Sequence, residues 1–390
     1  MTNGHFDDLD INILRRRRGK KWHTFDPDVL PAWVADMDFP AAPPIRQRLQ
    51  QALETSDLGY PHDDQPRRLI ELLVKRTRDR FRWRVDPGRV EVIADVVQGL
   101  QMCLEMYSRP GQGAAILTPI YPPFLNATRA MGRRGDCCML TPGADGYEID
   151  MDRLEATVQS DTRLLLLCNP HNPTGRVLTR DELTGLAELA LRRDLTVVAD
   201  EIHADLVLDG RRHIPFASLG PEVESRTVTL TSATKAFNIA GLRCAMMVFG
   251  SAALHTAYRT GPRFSRGAAS SLGMHAAEAA WSECDEWLAQ LLRHLEGNRA
   301  RIGAFLAEHL PDIGYLPPEA TYLAWLDCRA LEPGDSLWQT ILDRGRLALN
   351  DGREFGAGGE ECVRLNFATS TAILDDALAR LRRALAPATP

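Results

Sequence analysis

The sequence predicts an α/β fold: one large, mostly parallel sheet covered on both faces by helices, with a smaller α+β region after it. Three observations carry this. Short continuous apolar runs recur through the middle of the chain at 90–94, 113–117, 163–168 and 195–199, and helical patterns separate them. At 390 residues the chain is too long for one simple core. After about residue 281 the alternation stops and a long helical pattern takes over. The expected organisation is an arm at 1–44, a large domain at 45–284 and a small C-terminal domain at 285–390.

The elements follow in order. Pro27, Pro31, Pro40, Pro43 and Pro44 surround Trp22 and Trp33, which predicts an extended arm. Helical spacing begins at 45–55 and resumes at 65–81. A strand at 90–94 leads to a helix at 98–107, then a strand at 113–117 and a helix from Pro123. The strand at 163–168, the helix at 180–192 and the strand at 195–199 repeat the unit, and runs at 227–230 and 244–249 continue it. Beyond come a helix at 287–308, a strand at 322–326, a helix at 336–344, a strand at 362–367 and a closing helix at 373–385.

Composition narrows the function. With 44% hydrophobic and 25% charged residues and a net charge of −6, there is no electrostatic case for nucleic acid. The basic run at 15–18 with Lys20 and Lys21 reads as a solvated arm or subunit contact. No apolar stretch approaches the roughly 20 residues that a membrane span needs. The polar, acidic first ten residues are unlike a signal peptide. Eight cysteines without CxxC spacing predict reduced thiols, a cytoplasmic setting and no zinc site.

The chemistry-bearing residues fall at strand ends, where ligands of such sheets bind. Lys235 follows the run at 227–230, with Ser232 three residues before it and Arg243 eight after. A lysine so placed is either a solvated surface charge or the amine for a Schiff base with a phosphate-bearing aldehyde, the serine and arginine taking the phosphate. Asp200, ending a strand, is either a helix cap or the partner of a protonated pyridine nitrogen. Asn172, in an Asn-Pro pair, is either an ordinary turn residue or a partner for a ring hydroxyl. The backbone at Val96 and Val97, with Gln98, opens a helix where a phosphate would meet free N–H groups. Tyr121 is a packed turn aromatic or a stacking platform. Arg364 is a lone charge inside an apolar strand; either a structural acid or a substrate carboxylate would be its partner.

These segments resemble the pyridoxal 5′-phosphate (PLP) enzymes of fold type I, the class I and II aminotransferase superfamily. Within it the chain is similar to the cystathionine β-lyase and cysteine-S-conjugate β-lyase branch. The matching segments are LPAWVADMDF at 30–39, GYP at 59–61, PIYPPF at 119–124, CNPHNPTG at 168–175, DEIHADL at 200–206, TKAFNIAGL at 234–242, TYLAW at 321–325 and RLNFA at 364–368. The resemblance implies that Lys235 is the Schiff-base lysine and general base. It implies that Asp200 faces the pyridine nitrogen, that Asn172 and His203 lie toward the ring hydroxyl, and that Tyr121 stacks on the ring. Ser232, Arg243, Val96, Val97 and Gln98 would hold the phosphate. Arg364 would bind the α-carboxylate of an amino-acid substrate, bordered by Ala35, Asp36 and Tyr121. Tyr60 would reach the phosphate of a neighbouring subunit, which implies a homodimer with shared sites.

Some positions depart from the family pattern. Asp95 stands where Gly is common, and a carboxylate beside a phosphate repels it unless turned to cap the helix. Gln98 replaces a frequent Pro and Thr234 a frequent Ser. The expected reaction is β-elimination from a cysteine S-conjugate, giving a thiol, pyruvate and ammonia. Transamination is the alternative, and a non-catalytic PLP-binding regulator the remote one. The stretch at 263–266 is either pocket wall or surface connection.

Overall fold

The computed structural model describes residues 4–144, 146–261, 266–331 and 337–386. Seven strands form the large sheet: β1 (Val90–Ile93), β2 (Gly113–Thr118), β3 (Arg134–Met139), β4 (Thr162–Cys168), β5 (Thr196–Asp200), β6 (Thr227–Thr231) and β7 (Ala245–Phe249). Their spatial order is β1-β7-β6-β5-β4-β2-β3. β3, β2, β4, β5 and β6 run parallel, whereas β7 is antiparallel to both β6 and β1. The expectation of a mostly parallel sheet therefore holds, with one reversed strand.

All six residues of β2 are buried, as befits a strand with helices on both faces. The edge strand β3, absent from the expected elements, is buried only at alternate positions and has the polar sequence RGDCCM. Helix α1 (Pro43–Glu54) and α2 (Asp64–Phe81) precede the sheet. Helix α3 (Val96–Tyr107) starts two residues before its expected position because Asp95 Oδ1 accepts the Gln98 N–H at 2.8 Å and caps it. Helix α4 covers Pro122–Ala130, and α5 (Arg180–Arg192) opens with a capping box between Thr179 and Glu182. Helix α6 (Ser271–Glu283) was not legible as an element; eight of its residues are buried, so it lacks a polar face to give it away. It packs tightly: a Cβ on Gly273 would lie 2.3 Å from the Leu242 carbonyl oxygen.

Helix α7 (Asp285–His309) leads to a second, antiparallel sheet of β8 (Gly314–Tyr315), β9 (Leu323–Asp327), β10 (Asn350–Asp351) and β11 (Cys362–Asn366), ordered β8-β9-β11-β10. Helices α8 (Leu337–Gly345) and α9 (Thr371–Leu385) pack on each other beside it; Ser336, the expected start of α8, lies outside the described residues.

The N-terminal segment is not simply extended. It holds short helices at Gly4–Asp7, Ile11–Arg15 and Lys20–His23. Phe6 is buried against Phe39 and Trp287. Lys21 is also buried, paired with Asp38 at 2.9 Å, so the basic run is solvated only in part. The segment 34–39 is then bound from two sides. Asn366 Nδ2 donates to the carbonyls of Val34 (2.6 Å) and Asp36 (2.7 Å). Asn238 exchanges bonds with Met37 and donates to the Phe39 carbonyl at 2.8 Å.

Candidate active site

A cavity of about 660 Å³ opens at the carboxyl ends of β1, β4, β5 and β6. Its wall includes Lys235, Asp200, Asn172, His203 and Tyr121, contributed by separate strand ends and loops. The register explains the convergence: Asp200 pairs with Cys168 on one side and Leu230 on the other, so three consecutive strands end at one level.

Asp200 is almost fully buried. One carboxylate oxygen accepts the Ile202 N–H at 3.0 Å. Burial pushes its pKa up to about 7, against a smaller opposing effect of that bond. His203 is buried with Nδ1 lacking any partner, and burial, helped by Lys235 and Arg364, lowers its pKa to about 3. It is a neutral imidazole. The Lys235 Nζ donates to the Ala35 carbonyl at 2.9 Å, and Tyr322 Oη donates to the same oxygen at 2.8 Å. Burial lowers the Lys235 pKa; Asp36 opposes this.

Arg364 stands just behind the cavity wall on β11. Its Nη1 donates to Asn172 Oδ1 at 2.8 Å, and Nη2 donates to the Trp33 carbonyl at 3.2 Å and to Asn350 Oδ1. Its Nε is buried without a partner. No carboxylate lies within ion-pair distance of it among the described residues, so the structural acid considered from sequence is absent. Burial accordingly depresses its pKa to about 10. The Phe355 ring lies 4.9 Å from the guanidinium carbon. With Oδ1 committed to Arg364, Asn172 has its Nδ2 donor left for the cavity.

The opposite corner is built from the start of α3 and the loop after Lys235. Val96, Val97, Gln98, Thr234 and Arg243 line it. Asp95 lines it too, and its carboxylate is ion-paired to Arg243. The Ser232 hydroxyl, expected on the wall, is set one layer back. It donates to the Cys244 carbonyl at 2.7 Å and bonds the Thr234 hydroxyl at 2.8 Å, and Thr234 takes its place on the wall.

Ala35 lines the cavity, while Asp36 lies beside it on the next residue. Tyr60 is fully exposed. Residues 263–265 lie outside the described residues; Arg266 stacks over Tyr258 and donates to the Gly261 carbonyl at 2.9 Å. Gly175, closing the Asn-Pro-Thr-Gly turn at φ +70°, allows no side chain, because a Cβ there would lie 2.2 Å from the Pro318 Cβ.

Sequence reasoning missed the Tyr322, Asn238, Asn366 and Asn350 contacts. Tyr322, Asn238 and Asn366 do sit in quoted motifs, but only the fold reveals what they touch. Among the described residues no cluster of His, Cys, Asp and Glu could hold a metal ion, and no helix is long and apolar enough to cross a membrane.

The arrangement has counterparts. Residues 34–381 match the aminotransferase class I and II family. The cystathionine β-lyase PatB of Bacillus subtilis (strain 168) is 36% identical over 361 residues, covering 92% of this chain and 93% of that protein. The cystathionine β-lyase of Corynebacterium glutamicum is 33% identical over 378 residues, covering 96% of this chain and 99% of its own. The PLP-bound C-S lyase from Staphylococcus hominis superimposes with a TM-score of 0.91 at 27% identity, covering 99% and 100% of the two chains.

Proposed function

The chain belongs to the class I and II aminotransferase family, and from that premise we propose a PLP-dependent lyase that cleaves the Cβ–S bond of cysteine S-conjugates. L-Cystathionine or a related thioether plus water gives a thiol, pyruvate and ammonia. The relatives' names support the choice of reaction. The observation that carries the site is Arg364: a buried guanidinium bonded only to neutral oxygens, next to a cavity that also holds a lysine amine.

The residues fit the cofactor. A buried carboxylate, an imidazole with a bare Nδ1, a lysine Nζ and a helix start with an arginine suit its ring nitrogen, ring hydroxyl, aldehyde and phosphate in turn. When bound, the cofactor supplies an electron sink conjugated with the substrate's α-carbon. Asp200, buried at the end of its strand, would hold the ring nitrogen and keep it protonated. Asn172 Nδ2 and His203 would hold the ring hydroxyl, and Tyr121 would lie against the ring and keep water from it.

Arg364 binds the substrate carboxylate and fixes the α-carbon against Lys235. The Lys235 Nζ, its pKa lowered by burial, takes the proton from that carbon. The Ala35 carbonyl, itself held by Tyr322, gives the amine its resting position. Val96, Val97, Gln98 and Arg243 would hold the phosphate, with Thr234 on the wall and Ser232 supporting it from behind.

We infer that the working unit is a homodimer in which Tyr60 reaches the partner's phosphate site. Tyr60, Leu58 and Leu53 form an exposed apolar set around 53–60, which supports a covered interface. Eight free thiols agree with the reducing cytoplasm. We infer the division into an arm at 1–44, a large domain at 45–284 and a small domain at 285–390 from the two separate sheets. Pyruvate release from a panel of cysteine thioethers tests the activity; its absence with every member refutes the lyase.

A further inference from the structure

We propose that Asp95 is an internal stand-in for the cofactor's phosphate, so that Arg243 binds phosphate only after the Asp95 carboxylate has let it go. The inference rests on the PLP reading and deepens it at one corner of the site. A helix start and a guanidinium together form an anion site. Here both are already engaged by one side chain. Asp95 Oδ1 accepts the Gln98 N–H at 2.8 Å, and Oδ2 is paired with Arg243. Gln98 Oε1 in turn accepts the Ala94 N–H at 3.3 Å, which keeps the turn closed. Asp95, Val96, Val97 and Arg243 all line the cavity, and the Asp95 carboxylate, although it caps the helix, also reaches the Arg243 guanidinium there.

Two consequences follow. Asp95 and Arg243 cancel, so a phosphate meets a neutral corner where Arg243 alone would present a positive one. The pair is also partly open to solvent, at 65% exposure for the Arg243 side chain and 32% for Asp95, so its exchange for another anion is cheap. The carboxylate thus ties the corner together and loosens the cofactor's grip on it. Capping the helix does not require this charge, since Asn and Ser cap as well as Asp.

The test compares stripped wild type, Asp95→Asn, Asp95→Ser and Arg243→Ala, each titrated with PLP and with pyridoxal, which lacks the phosphate. Binding is read from the visible absorbance. Removing the like charge in either Asp95 variant lowers the Kd for PLP about tenfold and leaves pyridoxal unchanged. Arg243→Ala raises the Kd for PLP only. An unchanged or higher Kd for PLP in both Asp95 variants, with pyridoxal binding intact, overturns the inference while leaving the PLP reading standing. An equal gain for PLP and pyridoxal also overturns it, because the effect would not act through phosphate. A wild type that binds neither ligand overturns both readings.

Discussion

The Arg364 guanidinium and the Asn172 side-chain oxygen, 192 residues apart in sequence, meet at 2.8 Å beside the cavity. This bond ties the second sheet to the Asn-Pro turn of the first. It also leaves Arg364 without a counter-ion among the described residues. A buried guanidinium in that condition suits an anionic partner.

Arg364→Ala is therefore expected to lower kcat/KM for a cysteine thioether by roughly a hundredfold or more, while the bound cofactor's absorbance persists. Arg364→Lys recovers little, since an ammonium cannot reproduce the planar fork. Steady-state kinetics alongside spectra check this. A variant with near-normal kcat/KM would remove Arg364 from substrate binding.

Asn238 fastens the segment 37–39 to the lysine loop through three hydrogen bonds. Its backbone is left-handed, at φ +55°. Asn238→Ala loses those bonds and strains the backbone, with an expected cost of about 2–3 kcal/mol in urea unfolding. A shift in the midpoint of only a few tenths of that size would mean the segment is anchored elsewhere, through Asn366.

The pH dependence of the cofactor-free protein follows from Asp200. Its folded pKa of about 7 lies above the ordinary 3.8, so its contribution to stability is full at acid pH and is lost as pH rises through about 7. Asp200→Asn cannot ionise. Relative to wild type, the variant should gain about 2–3 kcal/mol between about pH 5 and pH 8. His203 acts in the opposite sense, its stabilisation fading as pH falls from about 6.5 toward about 3, but it is present in both proteins and cancels in the difference. Urea unfolding at several pH values gives the comparison. Parallel curves for the two proteins would show that Asp200 is ionised throughout.

Leu58→Asp places a charge in the exposed apolar set that is expected to be covered by a second copy. Wild type should sediment as a dimer and the variant as a monomer with little activity, because Tyr60 then reaches no neighbouring site. A wild-type monomer that is fully active would contradict the shared site.

Much of this fold could be read from the chain, for identifiable reasons. β2 and β4 are buried on both faces, so continuous apolar runs mark them. β3 escaped notice because an edge strand needs only alternate burial, and its sequence spends those positions on Asp136 and Cys138. The direction of β7 has no signature in its own residues. In the site, Lys235, Asp200 and Arg364 stand out as charges at the ends or middles of apolar strands. The one-layer displacement of Ser232 behind Thr234 does not, since it depends on where the Cys244 carbonyl falls. Asp95 was visible as a departure, but its grip on Arg243 is a tertiary fact.

The most direct test of the central claim follows the fate of L-cystathionine on the purified holoenzyme, measuring thiol, pyruvate and ammonia together with the spectral form of the cofactor, for wild type and Lys235→Ala. Wild type is expected to give equal amounts of the three products over many turnovers with a cofactor that returns to its starting spectrum, and Lys235→Ala to give none of them. Stoichiometric conversion of the cofactor to its amine form without thiol release, reversed by a keto acid, would contradict it and identify a transaminase.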